Sequence, residues 1–209
     1  MTKATGKKSS EIKRARTDSP VHELISGRWS PYTFDERPVS ESDRRSLFEA
    51  ARWAASGFNE QPWRYIVATR DDPERYERLL SCLVDANQAW ARHAPMLVLT
   101  VVARRLARND RANGTAEHDL GLATANLVLE ATARGLSAHQ MGGIVPERVR
   151  ELYGIPEGFD PLTAIAIGYV IDGTEDGSDD PRRERDRTPR NRRPLSETVF
   201  ADRWGEPGV

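Results

Sequence analysis

A single cysteine, Cys82, stands in 209 residues, so an internal disulfide is excluded. No Cys/His group has the spacing of a zinc site, and no metal is expected. No run approaches the ~20 consecutive apolar residues that a membrane-spanning helix needs. The first residues lack the apolar core of a secretory signal. Charge of one sign is also missing: the net charge is −1, which argues against nucleic acid or a membrane surface as the main partner. The phosphate-binding motifs GxGxxG and GxxxxGKS/T are absent, as are internal repeats. With 38% hydrophobic and 30% charged residues, the expectation is one cytoplasmic, metal-free globular domain.

Residues 1–18, "MTKATGKKSSEIKRARTD", carry six basic and two acidic side chains and almost nothing apolar. They read as a disordered, solvated arm. Beyond Pro20 the pattern changes. "VHELISGRW" places Val21, Leu24 and Ile25 on one helical face, with Gly27 as a stop. A second helix opens at Ser40 or Ser42, carries Leu47, Phe48, Ala51 and Ala54, and closes at Ser56-Gly57. Residues 64–69, 96–103 and 163–171 are branched apolar runs and read as strands. An amphipathic helix over 73–92 and a short one over 146–153 lie between them. The helix over 116–135 is apolar on two faces, Leu120/Ala123/Leu127/Ala131 and Leu122/Ala125/Leu129/Ala133, which predicts burial between layers or at a subunit interface. Residues 172–193 turn polar and arginine-rich before an apolar ending, "PLSETVFADRWG". Without regular βαβ alternation, the fold class is α+β.

Four stretches could carry chemistry. In "GRWSPYTF" (27–34), Arg28 and Ser30 flank Trp29 just past a helix end, a pair suited to phosphate or carboxylate. In "ASGFNEQPW" (55–63), small residues precede Asn59 and Gln61, each amide both donor and acceptor. The plainer reading, a helix end before an X-Pro step, explains Gly57 and Pro62 but not the amide pair. In "HQMGG" (139–143), Met141 precedes Gly142 and Gly143, whose unhindered N–H groups suit a ring carbonyl, although a Gly pair usually marks a turn. In "RNRRPL" (190–195), Arg190 and Arg192 share one side of an extended segment, or form a solvated basic run.

The order of these pieces resembles the nitroreductase family of flavoenzymes over about residues 20–204, with "NEQPW", "GLATANLVLEATARGL" and "RRPLSETVF" the specific parts. The resemblance implies a mixed or antiparallel sheet flanked by helices in an intertwined homodimer, with a C-terminal tail, 181–209, crossing to the partner. It implies FMN between the subunits: Arg28, Ser30, Arg190 and Arg192 toward the phosphate, with Trp29 also among the cofactor-binding residues, Ser56, Gly57 and Asn59 along ring and ribityl, and Met141, Gly142 and Gly143 at the ring. NADH or NADPH would donate and an electron-poor small molecule would accept. The residues themselves leave open a flavin-binding or flavin-modifying protein without an external substrate, or a non-catalytic interaction protein. Two departures stand out. Ala55 occupies a frequent proline position, and Tyr32 replaces a common second basic residue.

Overall fold

The computed structural model describes residues 7–172 and 181–209; the first six residues of the arm and residues 173–180 of the polar stretch lie outside the described residues. Four strands, β1 (Trp63–Thr69), β2 (Met96–Ala103), β3 (Ser137–Met141) and β4 (Phe159–Gly168), form one sheet in the order β1-β2-β4-β3. Every neighbouring pair is antiparallel. Helices cover both faces, so the α+β expectation holds.

The centre of the sheet follows from β2. Its run MLVLTVV is buried on both sides, as a central strand with two covered faces must be. Met96, Val98 and Val102 pack with α3 (Glu41–Arg52) and α6 (Ala116–Ala133) through Leu47, Ala51, Leu120, Ala123 and Leu127. Leu97 and Leu99 face the other way, onto α4 (Pro73–Leu80), α5 (Asp85–Ala91) and α7 (Pro146–Tyr153). Pro161 on β4 has no ladder N–H; it sits at a register shift where the Thr100 hydroxyl accepts from Thr163 N at 3.1 Å.

Several boundaries differ from the sequence reading. The helix expected over 73–92 is two helices, because Leu83 bridges to Ile144 and Val84 N donates to Gly143 O at 3.1 Å. Strand β3 was not foreseen, and β4 begins four residues earlier than the apolar run suggests. The arm is not wholly solvated: Ser9–Lys13 form α1, Ser10 N donates to Asp172 Oδ1 at 2.9 Å, and Ala15 N donates to Ser26 O at 2.8 Å. Partners far along the chain give its polar backbone somewhere to bond.

The C-terminal segment returns to the domain through α8 (Pro181–Arg187). Asp186 is 1% exposed and accepts from Tyr32 N, Thr33 N and the Thr33 hydroxyl at 2.8–3.1 Å. Burial pushes its carboxyl above the ordinary value, against the pull of these donors and of Lys13. Replacing it would strand two backbone donors. Asp186→Ala should cost about 1–3 kcal/mol, a fall in Tm of roughly 2–4 °C per kcal/mol for a chain of this length. A melting curve superimposing on that of the unaltered protein would contradict this.

Candidate functional site

The first cluster forms where α2 (Glu23–Gly27) ends. His22 caps its start by accepting from Leu24 N, and Arg28 leaves the helix in an extended conformation. Arg28 Nη1 donates to Ser30 Oγ at 3.3 Å. Arg190 comes back from the tail beside it, donating from Nε to Lys13 O (2.5 Å), from Nη1 to Arg28 O (2.6 Å) and from Nη2 to Ser26 O (2.8 Å). Arg192 stays exposed and donates to its neighbour's carbonyl, Asn191 O, at 2.8 Å. Burial first, then repulsion by Arg192 for Arg28 and by Arg28 and Arg192 for Arg190, lowers the affinity of both guanidiniums for their protons. A cavity of ≈ 550 Å³ opens among these arginines. Such a place favours an anion.

Trp29 is 4% exposed, with Lys13 Nζ 5.8 Å from the centre of its ring. Its indole is therefore packing, and only its backbone is left for a ligand. His139, on β3, ties this cluster to the sheet edge: its Nδ1 lies 2.8 Å from Pro31 O, and its ring is caged by Tyr32 and Trp90 at 4.7 and 4.4 Å. Burial, reinforced by Arg28 and Lys13, holds the imidazole below its usual pKa. A carbonyl only accepts, so Nδ1 carries the hydrogen that donates to Pro31 O, and the ring serves packing.

At the end of β3, Met141 is buried in the core, and just beyond it Gly142 is exposed with open space where a side chain would stand. Gly143 has an internal reason to be glycine. A Cβ there would meet Asn87 Nδ2 at 2.5 Å and Val84 Cγ2 at 2.8 Å, and its carbonyl already accepts from Val84 N and Asn87 Nδ2.

The second cluster is the loop before β1. Phe58, Asn59 and Gln61 have φ of 54°, 59° and 46°, three left-handed non-glycine residues within four positions. Gly57 N donates to Asp119 Oδ2 at 3.1 Å, Gln61 N to Ser56 Oγ at 3.0 Å, and Ala107 N to Glu60 Oε2 at 2.6 Å. A Cβ at Gly57 would stand 2.9 Å from Thr115 Oγ1, so close packing on the start of α6 demands this glycine. Phe58 is 76% exposed, with the Arg108 guanidinium 3.5 Å from its ring centre, and Asn59 is exposed. Strain of this kind, at about 1–3 kcal/mol per residue, gathers at functional sites.

The structure thus brings Arg28, Ser30, Arg190 and Arg192 together and joins them through His139 to the β3 edge that leads to Gly142. It does not bring Ser56, Gly57 and Asn59 to them. That loop precedes β1 at the opposite edge of the sheet, three strand spacings or about 14 Å away. Sequence reading missed Arg108 and Lys13; both lay in basic stretches read as solvated or passed over.

Comparison with known proteins gives the family to which this fold belongs. The nitroreductase family matches residues 25–169. A 15.4 kDa protein of Mycolicibacterium smegmatis, named only for its place in the ask 5′ region, is 33% identical over 150 residues, 69% of this chain and 99% of its own length. A Methanothermobacter thermautotrophicus protein provisionally named NADH dehydrogenase/NAD(P)H nitroreductase is 29% identical over 163 residues, 75% of this chain and 81% of its own. A crystal structure of an oxidoreductase containing FMN superposes with a TM-score of 0.82 at 31% identity, covering 97% of this chain and 98% of that one. A Desulfovibrio desulfuricans protein provisionally named a nitroreductase, solved in complex with FMN, gives 0.65 at 27% identity, with 90% and 99% covered. On this fold, with the family match spanning more than half of its length, the chain belongs to the nitroreductase family.

Proposed function

We propose that this protein is an FMN-dependent oxidoreductase that takes reducing equivalents from NADH or NADPH and passes them to an electron-poor small molecule, such as a nitroaromatic or a quinone. The observation that carries this reading is the cluster of Arg28, Arg190 and Arg192 on an open cavity, with Ser30 bonded to Arg28 beside it: positive charges that repel one another until an anion joins them. The FMN held by two similar proteins fits such a site, and the absence of a second nucleotide motif favours FMN over FAD.

FMN, when bound, would supply the redox chemistry that links a nicotinamide donor to the acceptor. The protein's part is to hold and polarise. Arg28, Ser30 and Arg192 would grip the phosphate, and Arg190 would position them from behind. The exposed N–H of Gly142 would donate to a polar edge of the ring, the kind of fixed donor that stabilises developing negative charge. Met141 and Trp29, both buried, would contribute through their backbone alone. No carboxylate or imidazole stands out as a proton donor, because His139 is caged and engaged.

Ser56, Gly57 and Asn59 stand at the opposite sheet edge from this cluster, so we assign them to the flavin of a second copy. The outward face of α6 supports such a dimer. Leu122 is 38% exposed, Ala125 and Ala133 are exposed, and Leu129 is half-buried, while the opposite face is in the core. The tail's Leu195, Val199 and Trp204 add further uncovered apolar surface. Among the described residues no helix is long and apolar enough to cross a membrane.

The cofactor is tested by mass analysis of what heat releases from the purified protein: FMN is expected, and FAD or no flavin overturns the reading. Arg28→Ala should weaken FMN binding by about 1.5–3 kcal/mol, roughly ten- to a hundredfold. Fluorescence titration of the apo-protein giving an unchanged dissociation constant would remove Arg28 from the site. For the dimer, Leu122→Asp should cost about 2 kcal/mol or more at the interface and release bound FMN together with the partner. Sedimentation showing a flavin-loaded dimer as tight as the original would refute the α6 interface.

A further inference from the structure

The segment before residue 25 precedes the part of the chain that the family match covers. It is nonetheless built into the cation cluster. Three anchors fix it: Ser10 on Asp172, Ala15 N on Ser26 O, and Lys13 O under Arg190 Nε. Arg190 engages three of its five N–H groups in tying this segment, the end of α2 and the tail into one knot. The cavity of ≈ 550 Å³ beside the knot has Arg16 and Asp18 on one wall and Arg28, Arg190, Arg192 and Arg193 on the other. Five cations therefore face one carboxylate. Lys13 adds a sixth positive charge just behind, within electrostatic reach of Arg190 and Asp186. The charge is unbalanced by several units in a space large enough for a phosphate and the chain that carries it.

From this wall of charge we infer that residues 9–18 are part of the cofactor site: they close the phosphate end of the cavity, with Arg16 and Lys13 supplying the cationic field that Tyr32 does not. The inference rests on the flavin reading above. It concerns the phosphate alone, so the two can be separated by comparing FMN with riboflavin, which has the same ring and no phosphate.

The experiment titrates apo-protein with each flavin and follows fluorescence quenching, for the full chain, for a form lacking residues 1–18, and for Arg16→Gln and Lys13→Gln. The substitutions leave the backbone carbonyl that Arg190 holds, so they report on charge even where the truncated form is unstable. Loss of either cation should weaken FMN about tenfold, and removal of the segment by more, while riboflavin affinity stays within about twofold. Unchanged FMN affinity in both substituted forms would overturn the inference. Equal weakening toward FMN and riboflavin would overturn it too, since the segment would then act on the fold and not on the phosphate. A full-length protein that binds neither flavin removes the flavin reading itself, and this inference with it.

Discussion

The molecule depends on solving the problem of packing five guanidinium groups around one cavity whose wall carries a single carboxylate, Asp18. Arg190 solves it with backbone. Its three contacts go to the carbonyls of Lys13, Ser26 and Arg28. Charge-assisted hydrogen bonds are the strong ones, and here each also carries position. By holding Arg28 O, Arg190 sets where the neighbouring guanidinium can reach, and Arg28 in turn leans on Ser30. The clasp is delivered by a second anchor four residues earlier. Asp186 receives the N–H groups of Tyr32 and Thr33, so the tail meets the same stretch of chain, residues 26–33, from both sides. Neither anchor lies in the sheet, yet both fix what stands beside it.

Against this corner, the strained loop at the other edge follows a different logic. Left-handed Phe58, Asn59 and Gln61 are paid for by bonds that surround them: Asp119 to Gly57, Ser56 to Gln61, and Glu60 to the 104–111 turn through Ala107 N. The conformation is over-determined from beneath while its upper surface, Phe58 and Asn59, stays exposed. A rigid exposed loop and a rigid cation corner at opposite sheet edges are the two half-sites of the proposed dimer. In the proposed dimer each copy supplies one half to either flavin. That arrangement also accounts for the uncovered apolar residues of α6, which a monomer would leave in water for no gain.

How much of this was legible depended on whether the determinant was local. Strand β2 was readable, since a branched apolar run buried on both faces has few other fates. The core-facing residues of α6, Leu120, Ala123, Leu127 and Ala131, were readable from helical spacing. Strand β3 was not: SAHQM has neither alternation nor branched residues, and it becomes a strand only because β4 offers Gly168 through Ala164 as partners. The helix over 73–92 kept its period across 81–84, and only the bonds of Val84 and Val145 to distant chain break it. At the site, residue types were legible but their reasons were not. Gly57 and Gly143 suggest room for a ligand, whereas their missing side chains make way for Thr115, Val84 and Asn87. Arg190 suggests a phosphate ligand, whereas its guanidinium is engaged on carbonyls. Lys13 and Arg16 were hidden in a charged stretch whose order comes entirely from tertiary contacts.

Tyr32 shows why the charge sits where it does. Its ring meets Trp90 at 5.1 Å and His139 at 4.7 Å, both edge to face, while its backbone N–H goes to Asp186. A lysine or arginine here would vacate an aromatic cage and place another cation near Arg28 and Lys13, both already close enough to act on His139. Aromatic packing of this kind is worth about 0.5–1.5 kcal/mol per pair beyond the area buried. A cation at this position would forfeit two such pairs and bring further repulsion to a corner where five arginines already face one carboxylate. The position therefore serves the core, and positive charge comes from residues that approach from outside it: Arg28 at the helix end, Arg190 and Arg192 from the tail, and Lys13 and Arg16 from the N-terminal segment. Because these arrive from three separate stretches of chain, their convergence depends on tertiary docking more than on any one motif.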